Sequence, residues 1–223
     1  MVTGFTRWLP RASSYRADLK TYFCYLSSLS TEVTKGIILT HGAGSSADAP
    51  LLIAVAAAFE QAGFRAVRHT LNFRVNKPKS PPHPKDAPGD QAGLLDAVKE
   101  MRRDGIEKVY LGGHSYGGRQ ATIMASEHPG LIAALLLLSY PLHPPEKPLQ
   151  LRTAHFPNLR TPSLFIHGAK DTFGTEAEMV SALQLIPGRV ELLTIPGVGH
   201  DLGAAKGPLA AKFAARFIDF ISA

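Results

Sequence analysis

Short β-rich runs alternate with longer Ala- and Leu-rich runs along most of this chain, and that alternation confines it to βαβ units wound around a parallel sheet. Strands are predicted at 21–26, 36–40, 65–69, 108–112, 131–138, 163–167 and 190–195, and helices at 49–61, 91–103, 118–127, 176–185 and 208–221. The run 131–138 is continuously apolar, as expected of a strand covered by helices on both faces. Two connections are long, about 70–89 and 139–162, and both are dense in proline. They follow strand ends that border the ligand crevice in such sheets. Proline at that density excludes a long helical cap, so an open, weakly lidded cleft is expected.

With 223 residues, 45% of them hydrophobic, the chain can bury one sizeable core. We expect a single domain over 1–223, with 1–35 a weakly defined N-terminal segment. The longest apolar runs, 51–59 and 131–138, fall far short of the roughly 20 residues that cross a bilayer. The first 20 residues lack the continuous apolar stretch of a secretory signal, so the expected location is cytoplasmic and no membrane partner is expected. Cys24 is the single cysteine, which excludes an internal disulfide and a multi-cysteine metal site.

The net charge of +6 is mostly dispersed, but Arg65, Arg68, Arg74, Lys77, Lys79 and Lys85 fall in a stretch with no acidic residue. Two readings stand. The segment is a solvated loop, the common fate of lysines, or Arg74, Lys77 and Lys79 form a basic cleft mouth that favours an anionic substrate. A nucleic-acid reader motif and an aromatic-basic stacking array are both missing, so no specific nucleic-acid partner is expected.

The segment GHSYGG at 113–118 follows a predicted strand and opens onto a predicted helix. Glycine two residues to either side lets Ser115 occupy a sharp strand-to-helix turn with its hydroxyl exposed. A serine hydroxyl is a weak nucleophile, so chemistry there requires a histidine base and an acid to orient it. Asp171, in HGAKDTFG after the strand at 163–167, and His200, in GVGHDLG after the last strand, both fall on the carboxyl side of the sheet. Asp171 also has the setting of an Asx turn. Asp201 adjoins His200 and is the weaker choice of acid. His41, His114 and His167 read as packing or hydrogen-bonding residues, and His143 as a pocket-lining one. No metal-ligand pattern such as HExxH is present.

The stretches THGAGSS at 40–46, GGHSYGGRQATIMA at 112–125, LSYPLHPPEKP at 138–148 and FIHGAKDTFGT at 165–175 resemble the α/β-hydrolase superfamily. Within it they resemble small dienelactone-hydrolase-like proteins related to the hydrolase-like domains of testis-expressed and non-specific-lethal-complex proteins. The order Ser115, Asp171, His200 is also the superfamily's order. The resemblance implies an α/β-hydrolase fold with a mostly parallel central sheet, helices on both faces and no large cap domain. It further implies a Ser115–Asp171–His200 triad that works without a cofactor. The loop at 41–46 sits where such proteins draw their first oxyanion donor. The amides of Ala43 and Tyr116 are the expected pair, with Gly44 the alternative to Ala43. Dienelactone hydrolases usually carry a cysteine nucleophile, where this chain has Ser115. The expected activity is hydrolysis of a small carboxylic ester, or a thioester, through an acyl-serine. A binding or scaffold module that retains the fold is the alternative.

Overall fold

The alternating apolar runs become strands, and all six pair in parallel. The computed structural model describes residues 33–223. In chain order these form β1 (Lys35–Thr40), α1 (Pro50–Gln61), β2 (Arg65–His69), α2 (Asn72–Asn76), α3 (Ala87–Arg103), β3 (Lys108–His114), α4 (Tyr116–Glu127) and β4 (Leu135–Leu138). They continue with β5 (Ser163–Gly168), α5 (Glu176–Leu183), β6 (Val190–Ile195) and α6 (Leu209–Ser222). The sheet order is β2-β1-β3-β4-β5-β6, with every neighbouring pair parallel.

Because successive strand side chains face opposite ways, the sheet sorts its residues into two layers. Ile38, Val109, Leu111, Leu135, Leu137 and Phe165 pack with α3, α4 and α5. Ile37, Leu39, Tyr110, Leu136, Leu138 and Leu164 pack with α1 and α6. In α6 the buried residues are Ala210, Phe213, Ala214, Phe217 and Phe220, a single stripe at helical spacing. Phe217 anchors that layer, meeting Phe59 and Tyr110 edge-on with ring centroids 5.8 and 5.5 Å apart.

The strand order reverses direction between β1 and β3. In an open parallel sheet the crevice outside such a switch point is where ligands bind, and here the loop after β1 and the turn after β3 both open into it.

Several boundaries differ from the sequence reading. Residues 131–134 precede β4 instead of belonging to it: the Leu131 amide closes a turn on the His128 carbonyl. Ile132 and Ala134 are nevertheless buried, so their apolarity marks core without marking strand. Helix α3 begins at Ala87 with Pro88 in its first turn, where the missing N–H costs nothing. The connection between β2 and α3 holds the five-residue α2 and a three-residue 3₁₀ turn at Pro84–Asp86, and the connection after β4 holds only a three-residue 3₁₀ turn at Phe156–Asn158. The strand expected at 21–26, and Cys24 with it, lies outside the described residues. Among the described residues no helix is long and apolar enough to cross a membrane.

Phe217 is fully buried, so Phe217→Ala is expected to lower unfolding free energy by about 3–5 kcal/mol. Urea denaturation tests this; a loss below about 1 kcal/mol would mean that the α6 layer repacks freely.

Candidate active site

Three strand ends supply the site. At the first, β3 runs to His114 and α4 starts at Tyr116, leaving Ser115 alone at the bend with φ 51° and ψ −119°. A non-glycine residue at positive φ is strained, and the bend is tight enough to exclude side chains on either side. A Cβ on Gly113 would lie 2.4 Å from the Gly118 amide nitrogen, and one on Gly117 would lie 2.6 Å from the His41 carbonyl oxygen.

The second and third ends are those of β5 and β6. Asp171 follows β5 and His200 follows β6, and the two connections are tied by the amides of Ala169 and Lys170, which donate to the Ile195 and Val198 carbonyls at 3.0 and 2.9 Å. Gly168 makes that approach possible, since a Cβ there would meet the Gly199 carbonyl oxygen at 2.4 Å. His200 Nδ1 lies 3.0 and 2.8 Å from the two Asp171 carboxylate oxygens, and His200 Nε2 lies 2.8 Å from Ser115 Oγ. The Asp171 side chain is fully buried, whereas His200 keeps 24% exposure. Both readings of Asp171 hold at once, because its Oδ1 also accepts the Phe173 amide at 2.9 Å in an Asx turn. The Phe173 ring then stacks on His200 with centroids 4.1 Å apart. Asp201 instead caps the following turn through the Gly203 amide.

A hydrogen-bonded carboxylate fixes the proton of its imidazole partner. With Nδ1–H donating to Asp171, the Nε2 lone pair faces the Ser115 hydroxyl. Burial alone would raise the Asp171 pKa, but the bonds from His200 and from the Phe173 amide outweigh it and hold the carboxyl below its ordinary value.

The cleft has a volume of about 680 Å³ and is lined by Ser115, His200, Ala43, Gly44 and Tyr116, together with Pro81, Pro82, Pro84, Arg119, Ile123, Arg152 and Phe173. This size suits a small-molecule ligand. Among the described residues, the amides of Ala43 and Tyr116 donate to no protein acceptor, and both residues border the same space as Ser115. Three side chains tie together the loops and helix ends around the cleft. His41 is fully buried; its Nδ1–H donates to the Gly42 carbonyl at 2.9 Å and its Nε2 accepts the Leu71 amide at 3.1 Å. Asp90, also fully buried, accepts the Phe73 amide and the Tyr116 hydroxyl, both at 2.8 Å.

The third is Arg74, and here the expectation of a cation at the cleft mouth is corrected. Its guanidinium donates to the carbonyls of Ala43 (2.6 Å), Ser45 (3.0 Å) and Pro78 (2.6 Å), so it staples two loops together and is not among the lining residues. Lys77 is paired with Asp86 at 2.9 Å, and Lys79 is exposed. His143 is likewise no part of the cleft lining. It is 5% exposed, held between the Pro144 carbonyl at 2.8 Å and the Glu178 carboxylate at 3.4 Å. Its backbone amide does serve the site, donating to the Phe173 carbonyl at 3.0 Å. No three His, Cys, Asp or Glu side chains among the described residues are grouped to hold a metal ion.

Two further histidines are kept neutral. Burial pushes His114 down to about 4, and its Nε2–H donates to the His200 carbonyl at 2.8 Å, steadying the residue that carries the imidazole. Burial, with Arg119 nearby, pushes His155 down to about 4 as well. In the unfolded chain both would take up a proton below about pH 6.5. Between about 6.5 and 4 the unfolded state therefore binds more protons, so stability falls as the pH drops through that window. His155→Gln keeps a partner for Thr122, which His155 Nε2 contacts at 2.8 Å, and is expected to shrink the fall in urea midpoint. An unchanged pH dependence in that variant would refute the assignment. Gly168→Ala is expected to displace His200 and slow reaction of Ser115 with a phosphonate by about 100-fold without loss of fold by circular dichroism. Wild-type reactivity would show that the clamp between the two connections is dispensable.

Comparison with known proteins agrees with this architecture. A family described as "Alpha/beta hydrolase domain" matches residues 33–211. Among solved structures, the chain is similar to a dienelactone hydrolase from Anabaena variabilis, with a TM-score of 0.68 and 21% identity, covering 86% of this chain and 87% of that one. It is also similar to Est1E from Butyrivibrio proteoclasticus with ferulic acid bound, with a TM-score of 0.69 and 17% identity over 87% and 92% of the two chains. A putative hydrolase from Xanthomonas campestris has a TM-score of 0.60 and 26% identity over 82% and 98%. With the matched family spanning all six strands of the sheet, the chain belongs to the alpha/beta hydrolase domain family.

Proposed function

We propose that this protein is a serine hydrolase that cleaves a small carboxylic ester through an acyl-serine intermediate. The reading is carried by the continuous relay from Asp171 through His200 to Ser115, whose terminal hydroxyl sits on a strained turn inside a cleft. His200 Nε2 takes the Ser115 proton as Oγ attacks the ester carbonyl, and Asp171 stabilises the imidazolium that forms. Negative charge develops on the carbonyl oxygen, and the Ala43 and Tyr116 amides are the donors suited to receive it. The protonated imidazole then hands its proton to the departing alkoxide. Water, deprotonated by the same nitrogen, attacks the acyl carbon and releases the acid with Ser115 restored.

The substrate enters as a small molecule, in keeping with a cleft of about 680 Å³. Its proline-lined wall suits an acyl or alkoxy group of modest size.

Intact-mass labelling with a fluorophosphonate tests the reading. Stoichiometric labelling of the wild type is expected, with none in Ser115→Ala or His200→Ala, and Ser115→Ala is expected to reduce ester turnover by about 10⁴- to 10⁶-fold. A folded wild type that neither labels nor turns over esters would overturn it in favour of a binding module.

A further inference from the structure

The segment 65–85 draws attention by its charge, yet its cations are largely occupied. Arg65 pairs with Asp104 and Arg68 with Asp48, each at 2.7 Å, while Arg74 and Lys77 are satisfied as described above. The cleft itself holds two other arginines. Ser115, Arg119 and Ile123 are spaced four apart across the start of α4, and all three line the cleft, as residues on one helix face do. The Arg119 amide donates to the Ser115 carbonyl at 3.0 Å, so its side chain originates one turn, about 6 Å, along the axis from the nucleophile.

Arg152 reaches the cleft from the connection after β4. Its backbone is pinned there, the amide donating to the Leu142 carbonyl at 2.8 Å and its carbonyl accepting the Tyr140 hydroxyl at 2.6 Å. Its guanidinium makes one long bond, 3.3 Å, to the Pro141 carbonyl.

Among the described residues neither arginine is paired with a carboxylate. Arg119 Nε is buried without an acceptor. Asp90, which holds Tyr116 at the start of the same helix, is spent on the Phe73 amide and the Tyr116 hydroxyl. The other polar neighbours are neutral: Thr122, which donates to the Arg119 carbonyl at 2.8 Å, and His155 beyond it. Burial, then the proximity of Arg119, pushes the Arg152 pKa below its ordinary value. Two guanidinium groups held near each other, half-buried and without a counter-charge, oppose folding. Their placement makes chemical sense if the counter-ion arrives with the ligand, because a guanidinium fork matches a planar or tetrahedral oxyanion.

We infer that Arg119 and Arg152 form an oxyanion-recognition subsite beside Ser115, and that the ester cleaved here carries a carboxylate or phosphate group a short chain away from the scissile carbonyl. This inference rests on the hydrolase reading above and narrows it to acidic esters. It also moves the charge recognition from the loop after β2 to the wall formed by α4 and the connection after β4.

The test compares 4-nitrophenyl hemiadipate with 4-nitrophenyl hexanoate, two esters of equal chain length that differ in the terminal carboxylate. The ratio of kcat/KM, acidic over neutral, is expected to be about 10 or more for the wild type and to fall toward unity in Arg119→Met and in Arg152→Met. Competition by adipate and by glycerol phosphate then assigns the anion. If the hexanoate is cleaved in a Ser115-dependent manner but the ratio is near unity, or survives both substitutions, the subsite is refuted while the hydrolase reading stands. If neither ester is cleaved, the hydrolase reading fails and the subsite is judged by calorimetry with adipate. Saturable wild-type binding that weakens about 10-fold in Arg119→Met upholds it, and absence of binding at millimolar adipate overturns it.

Discussion

The start of α4 lies almost against the end of β1, and the site depends on that contact. Gly117 rests on the backbone of Thr40 and His41, while Gly113 rests on Gly118, so neither position has room for a side chain. With the flanking positions that close, the chain turns between β3 and α4 by placing Ser115 at positive φ. The same closeness brings the loop after β1 alongside the serine. The candidate nucleophile and the candidate oxyanion donors thus share one steric cause. At the other end of the crevice, Gly168 lets the connections after β5 and β6 touch, and the Asp171–His200 pair follows from that touch.

Charge in this molecule is organised by tertiary partners. Arg65 and Arg68 find Asp104 and Asp48, residues distant in sequence, and the chain's most basic stretch becomes largely self-neutralised. Arg74 spends its donors on carbonyls of two loops that lack regular hydrogen bonding of their own, taking the place of a secondary-structure ladder. The exposed and the functional cations are therefore different sets. Those facing the cleft come from α4 and from the connection after β4.

The architecture was legible because its signals are periodic. Alternation gave the strands, and the order of Ser115, Asp171 and His200 along the chain matched three successive points at one edge of the sheet. Boundaries were less legible wherever burial and hydrogen bonding part company. Ile132 is as buried as a strand residue without pairing as one, and Pro88 sits in the first turn of a helix predicted to start at 91. Arg74 and His143 were misplaced for another reason: a long loop's side chains are assigned by what folds beside them, which sequence position does not encode. Arg119 was within reach, four residues after Ser115 on a predicted helix, but the glycines of the motif carry its obvious message and the arginine does not.

Prolines 81, 82, 84 and 141 line the cleft in place of a helical cap. Each has its φ locked before any ligand arrives, so the wall has little backbone entropy left to surrender on binding. A cavity of this kind selects by pre-existing shape. Ligands that fit should bind with little ordering penalty, and ligands slightly too large should be refused outright, because the wall has few alternative conformations with which to accommodate them.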